Sequence, residues 1–135
     1  MGKAVRILVL HWRGIEHTRA CLTSIRSLHY DNFKVLLVDN GSEQDDGALL
    51  KSEFPEIDLL RLDSNRGFSG GCNAGIGYCL DDGADYIWLL NNDATVDSGT
   101  LSALVDAAES DTAAGAVSAC IVERDRQSGK IVKRV

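Results

Sequence analysis

Four short apolar segments do most to limit the folds that this sequence can adopt. They are separated by stretches in which apolar residues recur with the period of an α-helix. The segments are VRILVLH (residues 5–11), FKVLLVD (33–39), IDLLRL (57–62) and YIWLLN (86–91). Strands with apolar side chains on both faces are typical of parallel sheets that helices cover on each side. The sequence therefore predicts an α/β fold, with a mostly parallel sheet and helices on both faces.

The stretches between these strands predict helices, and one later segment predicts a fifth strand. The glycine-rich stretch after the third strand predicts a helix that runs to about Asp82. Its inner face is predicted to carry Ile76, Cys79 and Leu80. Residues 114–122 (AGAVSACIV) are small or apolar and predict the fifth strand. Since 135 residues is the size of one domain, we expect residues 1–135 to form a single domain.

The chain is acidic overall, but its charge is unevenly distributed. The formal net charge is −6, whereas nucleic-acid binding needs a basic surface, so we expect no nucleic-acid partner. From residue 123 onward five bases face two acids, which gives about +3 and leaves about −9 for the rest. This basic end is either a solvated terminus or a contact for an anionic substrate or for the periphery of a membrane.

The cysteines show neither a metal-binding nor a disulfide pattern. They are scattered, with no CxxC pair and no suitably spaced histidine, which predicts reduced, buried thiols. Cys72 and Cys79 are seven residues apart and should share one helical face. No charged-then-apolar leader opens the sequence, and no apolar run approaches the ~20 residues of a spanning helix. We therefore expect a soluble chain in the cytoplasm, either free or at the inner face of the membrane.

Candidate binding residues follow the ends of the predicted strands. In parallel α/β sheets, ligands bind beyond the carboxyl ends of the strands, near the point where strand order reverses. The sequence therefore predicts one site from the residues at these ends, which are His11, Trp12, Arg13, Asp39, Asn65, Gly67, Asn91, Asn92 and Asp93.

Asp93 is the carboxylate that best fits a metal ligand. Magnesium is often held by one or two carboxylates, with phosphate oxygens and water completing its shell. An aspartate flanked by amides fits a cation that arrives with a diphosphate, so the sequence predicts Mg²⁺ or Mn²⁺ at Asp93, with turn capping as the alternative. Asp39 has two alternative roles. It accepts a hydrogen bond from a ligand, either from a base N–H or from a ribose hydroxyl, or it caps the Asn-Gly-Ser turn that follows it.

The segment NRGFSGGCNAG (residues 65–75) opens the third helix. It lacks the glycine spacing of the dinucleotide fingerprint, but its backbone N–H groups and the positive helix end suit a diphosphate. The alternative is close packing of the helix on the sheet, above all for Gly75 and Gly77. Packing explains Asn73 less well, so Asn73 is also a candidate binding residue. His11 is either a binding residue or a hydrogen-bonded structural histidine.

Together these segments resemble family-2 glycosyltransferases, in particular the bacterial rhamnosyltransferase-like members. The matching blocks are HWRGIEHTRACLTSI, VLLVDNGS, NRGFSGGCNAGI and YIWLLNNDATVDSGTL, in the family's order and spacing from Val5 to about Val122. The resemblance implies a Rossmann-like GT-A fold, a nucleotide-diphosphate sugar donor, a divalent cation and inverting transfer to a glycan or lipid-linked acceptor. Such proteins serve cell-wall or polysaccharide biosynthesis.

The resemblance also implies roles for individual residues. Asp39 corresponds to the aspartate that contacts the nucleotide base. Asn91, Asn92 and Asp93 correspond to a DxD-type triad, in which Asn92 is expected near the ribose and Asp93 binds the metal. Asn65, Gly67 and Asn73 belong to the loop and helix beside the donor.

Two features separate the chain from the usual family pattern. The first block reads His-Trp-Arg-Gly, where similar proteins commonly have Asn-Trp-Asn-Gly, so two amides are replaced at the base pocket. No block after Asp93 resembles the acidic general base, which must reach the attacking hydroxyl. The resemblance therefore implies the N-terminal, donor-binding part of the enzyme, and a donor-binding module without catalysis is the alternative. A sugar-nucleotide pyrophosphorylase fits less well, because HWRGIEH offers one glycine where such enzymes have a glycine-rich loop.

Overall fold

A four-stranded parallel sheet organises the first part of the chain in the computed structural model, which describes residues 2–125 and 127–134. Its strands, in the spatial order β3-β2-β1-β4, are β1 (Val5–His11), β2 (Phe33–Asp39), β3 (Asp58–Arg61) and β4 (Tyr86–Asn91). The helices between them are α1 (Ile15–Ile25), α2 (Asp46–Glu53) and α3 (Gly67–Asp81). The predicted parallel α/β sheet is confirmed.

The strand order decides which face of the sheet each helix covers. Connections between parallel strands are right-handed, so a helix changes face when the chain reverses its direction across the sheet. The chain runs outward from β1 to β2 and β3, and then returns to β4 on the other side of β1. Consequently α1 and α2 share one face, where they contact each other, and α3 covers the opposite face. The reversal lies between β1 and β4.

The contact between α3 and the sheet depends on two glycines, Gly75 and Gly71, and a Cβ at Gly71 would lie 2.6 Å from Leu10 Cδ1. The core cluster on this face consists of Leu8, Leu36, Val38, Leu62 and Cys79. A Cβ at Gly75 would lie 2.4 Å from Leu8 Cδ1 and 2.8 Å from Val38 Cγ2, so only glycine permits the close approach without a shift. A Cβ at Gly77 would meet nothing within 4 Å. The packing interpretation is thus confirmed at Gly75 and wrong at Gly77.

The inner face predicted for α3 is correct at two positions and wrong at a third. Cys72 and Cys79 are buried, as their spacing predicts, and Ile76 packs against the core cluster. Leu80 is 60% exposed. It follows Cys79 directly and is therefore rotated about 100° around the helix from that buried side chain.

The fifth strand predicted at residues 114–122 is wrong. The structure has instead an antiparallel pair of β5 (Val122–Arg124) and β6 (Ile131–Arg134). Residues 114–118 are exposed, since alanine, glycine and serine offer little apolar area to bury. Cys120 is exposed as well, so the prediction of buried thiols is correct for the other three cysteines and wrong for this one.

The described chain divides into two compact units. The residues up to Gly99 contain the parallel sheet with α1 to α3, and those from Thr100 onward contain α4 (Thr100–Ser110) and the β5–β6 pair. The single domain expected for residues 1–135 stays a prediction. None of the helices within the described ranges combines the length and the apolar character that a membrane span requires.

Candidate functional site

A cavity of about 460 Å³ lies at the carboxyl ends of β1, β2 and β4, where the strand order reverses. Its volume is typical of sites for small organic ligands. The residues that line it are Leu10, Trp12, Arg13, Asn40, Asn65, Gly67, Phe68, Asn91, Asn92 and Asp93. Seven of these ten belong to the predicted site, so the strand-end rule finds most of the cavity.

The loop after β1 contributes Trp12 and Arg13. Gly14 follows them and precedes α1 with a φ of 78°, a left-handed conformation that glycine adopts without strain. The Arg13 guanidinium lies over the Trp12 ring, 4.1 Å from its centroid, and Arg13 Nη2 lies 3.8 Å from Glu43 Oε1. Since Trp12 is 40% exposed, this loop gives the cavity an aromatic surface with the positively charged Arg13 guanidinium beside it.

Asn40 ties the glycine-rich segment to the end of β2. Its Oδ1 accepts from Arg66 N at 3.0 Å, and its Nδ2 donates to Asn65 Oδ1 at 3.1 Å and to Gly67 O at 3.0 Å. Gly67 begins α3 with a φ of 71° and donates its N–H to Asn65 Oδ1 at 2.7 Å. The first turn of α3 carries no acidic residue, so the positive end of this helix lies at the cavity without a nearby acidic cap.

Three residues of the cavity are missing from the sequence prediction. Leu10 and Asn40 each lie two residues after a side chain of the α3-side cluster, Leu8 and Val38, so the two-residue alternation of strands identifies them. Phe68 is 62% exposed beside the glycine that begins α3. A large aromatic residue at a helix start, outside the apolar core pattern, is the signal that marks it.

The structure does not bring His11 to the cavity. His11 is fully buried at the end of β1, on the face that carries α1 and α2. Its Nδ1 lies 2.7 Å from Thr18 Oγ1, and its Nε2 lies 3.0 Å from Asp46 Oδ2. Both ring nitrogens have partners, which supports the structural interpretation of this histidine.

Asp39, the register partner of His11 on β2, is also fully buried. Its Oδ1 accepts from Ser42 N at 2.8 Å, and its Oδ2 accepts from the Ser42 hydroxyl at 2.9 Å and from Gly47 N at 3.2 Å. The carboxylate therefore caps the turn after β2, and its contact with a nucleotide base stays a prediction. Asn73 is exposed on α3 and does not line the cavity.

The turn after β4 contributes Asn91, Asn92 and Asp93. Ala94 N donates back to Asn91 O at 3.2 Å, which holds the three polar residues in one tight turn. Within the described residues, no hydrogen bond or ion pair engages the exposed Asp93 carboxylate. The Cys21 thiol donates to Asn91 O at 3.7 Å, and burial, with a smaller effect of the Asp93 charge, raises the pKa of this thiol to about 12.

The donor atoms at this turn fit a hard divalent cation. Asp93 offers a carboxylate and the two asparagines offer amide oxygens, and oxygen is the ligand type that Mg²⁺ and Mn²⁺ prefer. In residues 2–125 and 127–134, no group of three or more His, Cys, Asp or Glu side chains is arranged to hold a metal. A cation at Asp93 would therefore also need oxygens from a ligand, as Mg²⁺ has beside phosphates.

The fold defines a Rossmann-like α/β protein with a cavity at its switch point, where ligands bind in such folds. Residues 9–132 match glycosyl transferase family 2, and the chain belongs to this family. No curated protein matches the sequence at a significant level.

Solved structures share the fold. S. aureus TarS 1–349 is 17% identical with a TM-score of 0.63, and the match covers 78% of this chain and 33% of that one. The same TarS fragment in complex with UDP-GlcNAc is also 17% identical with a TM-score of 0.63, and that match covers 78% of this chain and 32% of that one. The mannosyltransferase PcManGT from Pyrobaculum calidifontis, in complex with GDP-Man and Mn²⁺, is 16% identical with a TM-score of 0.73, over 91% of this chain and 36% of that one. The GT-A fold is thus confirmed. The chain spans about a third of the length of each of these structures. The rhamnosyltransferase-like subdivision stays a prediction.

Proposed function

We propose that the chain binds a nucleotide-diphosphate sugar together with Mg²⁺ or Mn²⁺ in this cavity, and that it serves inverting transfer of the sugar to a glycan or lipid-linked acceptor. The observation that carries the proposal is the exposed Asp93 carboxylate, which has no partner within the described residues and lies at the same cavity as the start of α3. Family membership supports it, as do the GDP-Man and Mn²⁺ of PcManGT and the UDP-GlcNAc of TarS.

The charges around the cavity support a ligand that brings a cation with it. Among the described residues that line the cavity, Arg13 is the base and Asp93 is the acid, so their charges cancel. A diphosphate needs more positive charge, of which the α3 N-terminus supplies a part. A cation held by Asp93 would stabilise the negative charge that the diphosphate develops as it leaves the sugar.

The aromatic surfaces of the cavity suit the nucleoside. Trp12 is 40% exposed and Phe68 is 62% exposed, and both line the cavity. Flat apolar faces of this kind stack on nucleobases, and the amides of Asn65 and Asn92 can bond the ribose or the base edge. Base recognition in this proposal therefore rests on Trp12 and Arg13 more than on the buried His11 and Asp39.

The second candidate function is donor binding without catalysis by this chain alone. It is favoured because, of the described cavity-lining residues, Asp93 has the one carboxylate, and the proposal uses it for the cation. Proton abstraction from an acceptor hydroxyl needs a further base. Incubation of the purified chain with a radiolabelled donor separates the candidates, because any sugar transfer or donor hydrolysis eliminates the non-catalytic one.

We further place the protein in the cytoplasm, including the inner face of the membrane, and in cell-wall or polysaccharide biosynthesis. Four free cysteines, three of them buried, support a reducing compartment. Arg124, Lys130 and Lys133 are exposed and provide the charge for contact with an anionic surface, whereas Arg126 of the same basic end lies outside the described residues.

Calorimetric titration tests the proposed site. We expect Mn²⁺ to strengthen the binding of at least one of UDP, dTDP and GDP, and Asp93→Asn to abolish that gain. Asp97→Asn is the matched control, because it removes an equal charge from an exposed aspartate that does not line the cavity. A gain of equal size in the wild type and in Asp93→Asn would refute the assignment of the cation to Asp93.

A further inference from the structure

A buried chain of hydrogen bonds links α2 to the turn that contains Asp93. Asp46 Oδ2 lies 3.0 Å from His11 Nε2, and His11 Nδ1 lies 2.7 Å from Thr18 Oγ1. Asn92 Nδ2 donates to the same Thr18 oxygen at 2.9 Å. His11 and Thr18 are both fully buried, so water does not compete for the bond between them, and the bonds to Asp46 and Asn92 are part-buried. Four side chains from α2, β1, α1 and the turn after β4 therefore form one polar network.

The carboxylate of Asp46 at one end of this network is consistent with one set of bond directions. An ionised carboxylate only accepts, so a ring that carries a single hydrogen and bonds Asp46 has it on Nε2, which leaves Nδ1 as the acceptor. The Thr18 hydroxyl must then donate to Nδ1, and its lone pairs are left to accept from Asn92. No buried side-chain nitrogen or oxygen in the described structure lacks a hydrogen-bond partner.

The network also fixes the orientation of the Asn92 amide. Asn92 Nδ2 donates a second bond, to Arg13 O at 3.2 Å, and a carbonyl can only accept. Both amide hydrogens thus point toward protein groups, which leaves Oδ1 as the atom that Asn92 can offer to a ligand. Asn92 lines the cavity and directly precedes Asp93, so its orientation constrains the backbone that carries the carboxylate.

We propose that Thr18 and His11 are positioning residues, which hold Asn92 and thereby Asp93 in the geometry that binds a cation with a diphosphate. The proposal rests on the proposed function of the cavity. It assigns a role in ligand binding to two residues that neither contact the cavity nor carry any of the charge there. Outer partners of this kind commonly change metal affinity by about 10- to 100-fold when they are removed.

The test compares two substitutions at Thr18 with a control on the same helix. Thr18→Val keeps the shape and removes the hydroxyl, whereas Thr18→Ser keeps the hydroxyl. Thr23→Val makes the same chemical change at an exposed threonine of α1, whose hydroxyl bonds Arg19 O at 2.8 Å. The readout is the Mn²⁺ gain, which is the ratio of the nucleoside diphosphate Kd without and with Mn²⁺, for whichever of UDP, dTDP and GDP binds most tightly.

We expect Thr18→Val to lower the Mn²⁺ gain about tenfold, and Thr18→Ser and Thr23→Val to leave it within a factor of about two. Asp46→Ala breaks the network at its far end and should lower the gain about threefold, which keeps the test independent of how well Thr18→Val folds. A merely structural role would shift unfolding midpoints and leave the gain unchanged. A full gain in Thr18→Val and Asp46→Ala overturns the inference, whereas the absence of any gain in the wild type overturns the proposed function itself.

Discussion

The contact between α3 and the sheet can be tested with one substitution at two sites. Gly75→Ala places a methyl group 2.4 Å from Leu8 Cδ1, inside a cluster where Leu8 and Val38 are almost fully buried. Gly77→Ala places the same group where nothing lies within 4 Å. Both glycines lie in the interior of α3, so alanine gives the same gain in helix propensity at each.

The expected free energies of unfolding follow from two opposing effects. Replacing glycine by alanine inside a helix stabilises by about 1 kcal/mol. Gly77→Ala should show this full gain. Forcing an extra methyl into a packed core costs about 1–3 kcal/mol, so Gly75→Ala should be neutral to about 2 kcal/mol less stable than the wild type. The difference between the two variants, about 1–3 kcal/mol, measures the packing effect because the helix term cancels.

Urea unfolding followed by circular dichroism measures this difference. With a slope of about 2 kcal/mol per molar urea, Gly77→Ala should raise the midpoint by about 0.5 M, and Gly75→Ala should stay level or fall by up to about 1 M. The reasoning is wrong if Gly75→Ala proves as stable as Gly77→Ala, since α3 would then be free to move away from the sheet.

Three further predictions concern charge and thiols. The Arg19 guanidinium donates to Glu53 and lowers the pKa of that carboxyl, so the pair stabilises the fold above about pH 4.5 and the stabilisation is lost on acidification. Between pH 6 and pH 3, the urea midpoint should therefore fall less in Arg19→Gln than in the wild type. An equal fall in both proteins would contradict this prediction. The Arg6 guanidinium is buried and pairs with two carboxylates, so Arg6→Met should cost about 1.5–3 kcal/mol in urea unfolding, and an unchanged midpoint would show that the pairs contribute little. In native protein at pH 8, a maleimide should label the exposed Cys120 and spare Cys21, because burial raises the pKa of the Cys21 thiol to about 12. Mass spectrometry of the peptides measures the labelling. Rapid labelling of Cys21 would mean that α1 opens.

The central strands could be predicted from the sequence with their limits. The bounds predicted for β1, β2 and β4 are the ones observed, because their apolar runs are continuous and end at polar residues. The edge strand β3 is shorter than predicted. Residues 114–122 fail as a strand because alanine counts as apolar in a pattern but buries too little area to hold a strand in a sheet.

The site could be predicted in position but not in the direction of each side chain. The strand-end rule selects Trp12, Arg13 and the turn after β4, which line the cavity. It fails to separate His11 and Asp39 from them because the rule ignores which face a side chain takes. Both lie one residue out of phase with the α3-side chains, so they enter the α1 and α2 layer. That distinction needs the strand order, which depends on contacts between distant parts of the chain.

The sheet separates residues that line the cavity from a polar network on its other face. Trp12 and Phe68 are partly exposed at the cavity, and their replacement leaves the buried polar network intact. His11 and Thr18 lie on the other face, where each takes part in two hydrogen bonds of this network that a new side chain would have to replace. A library built to test the proposed nucleotide site should therefore vary the first pair freely and keep the second pair constant.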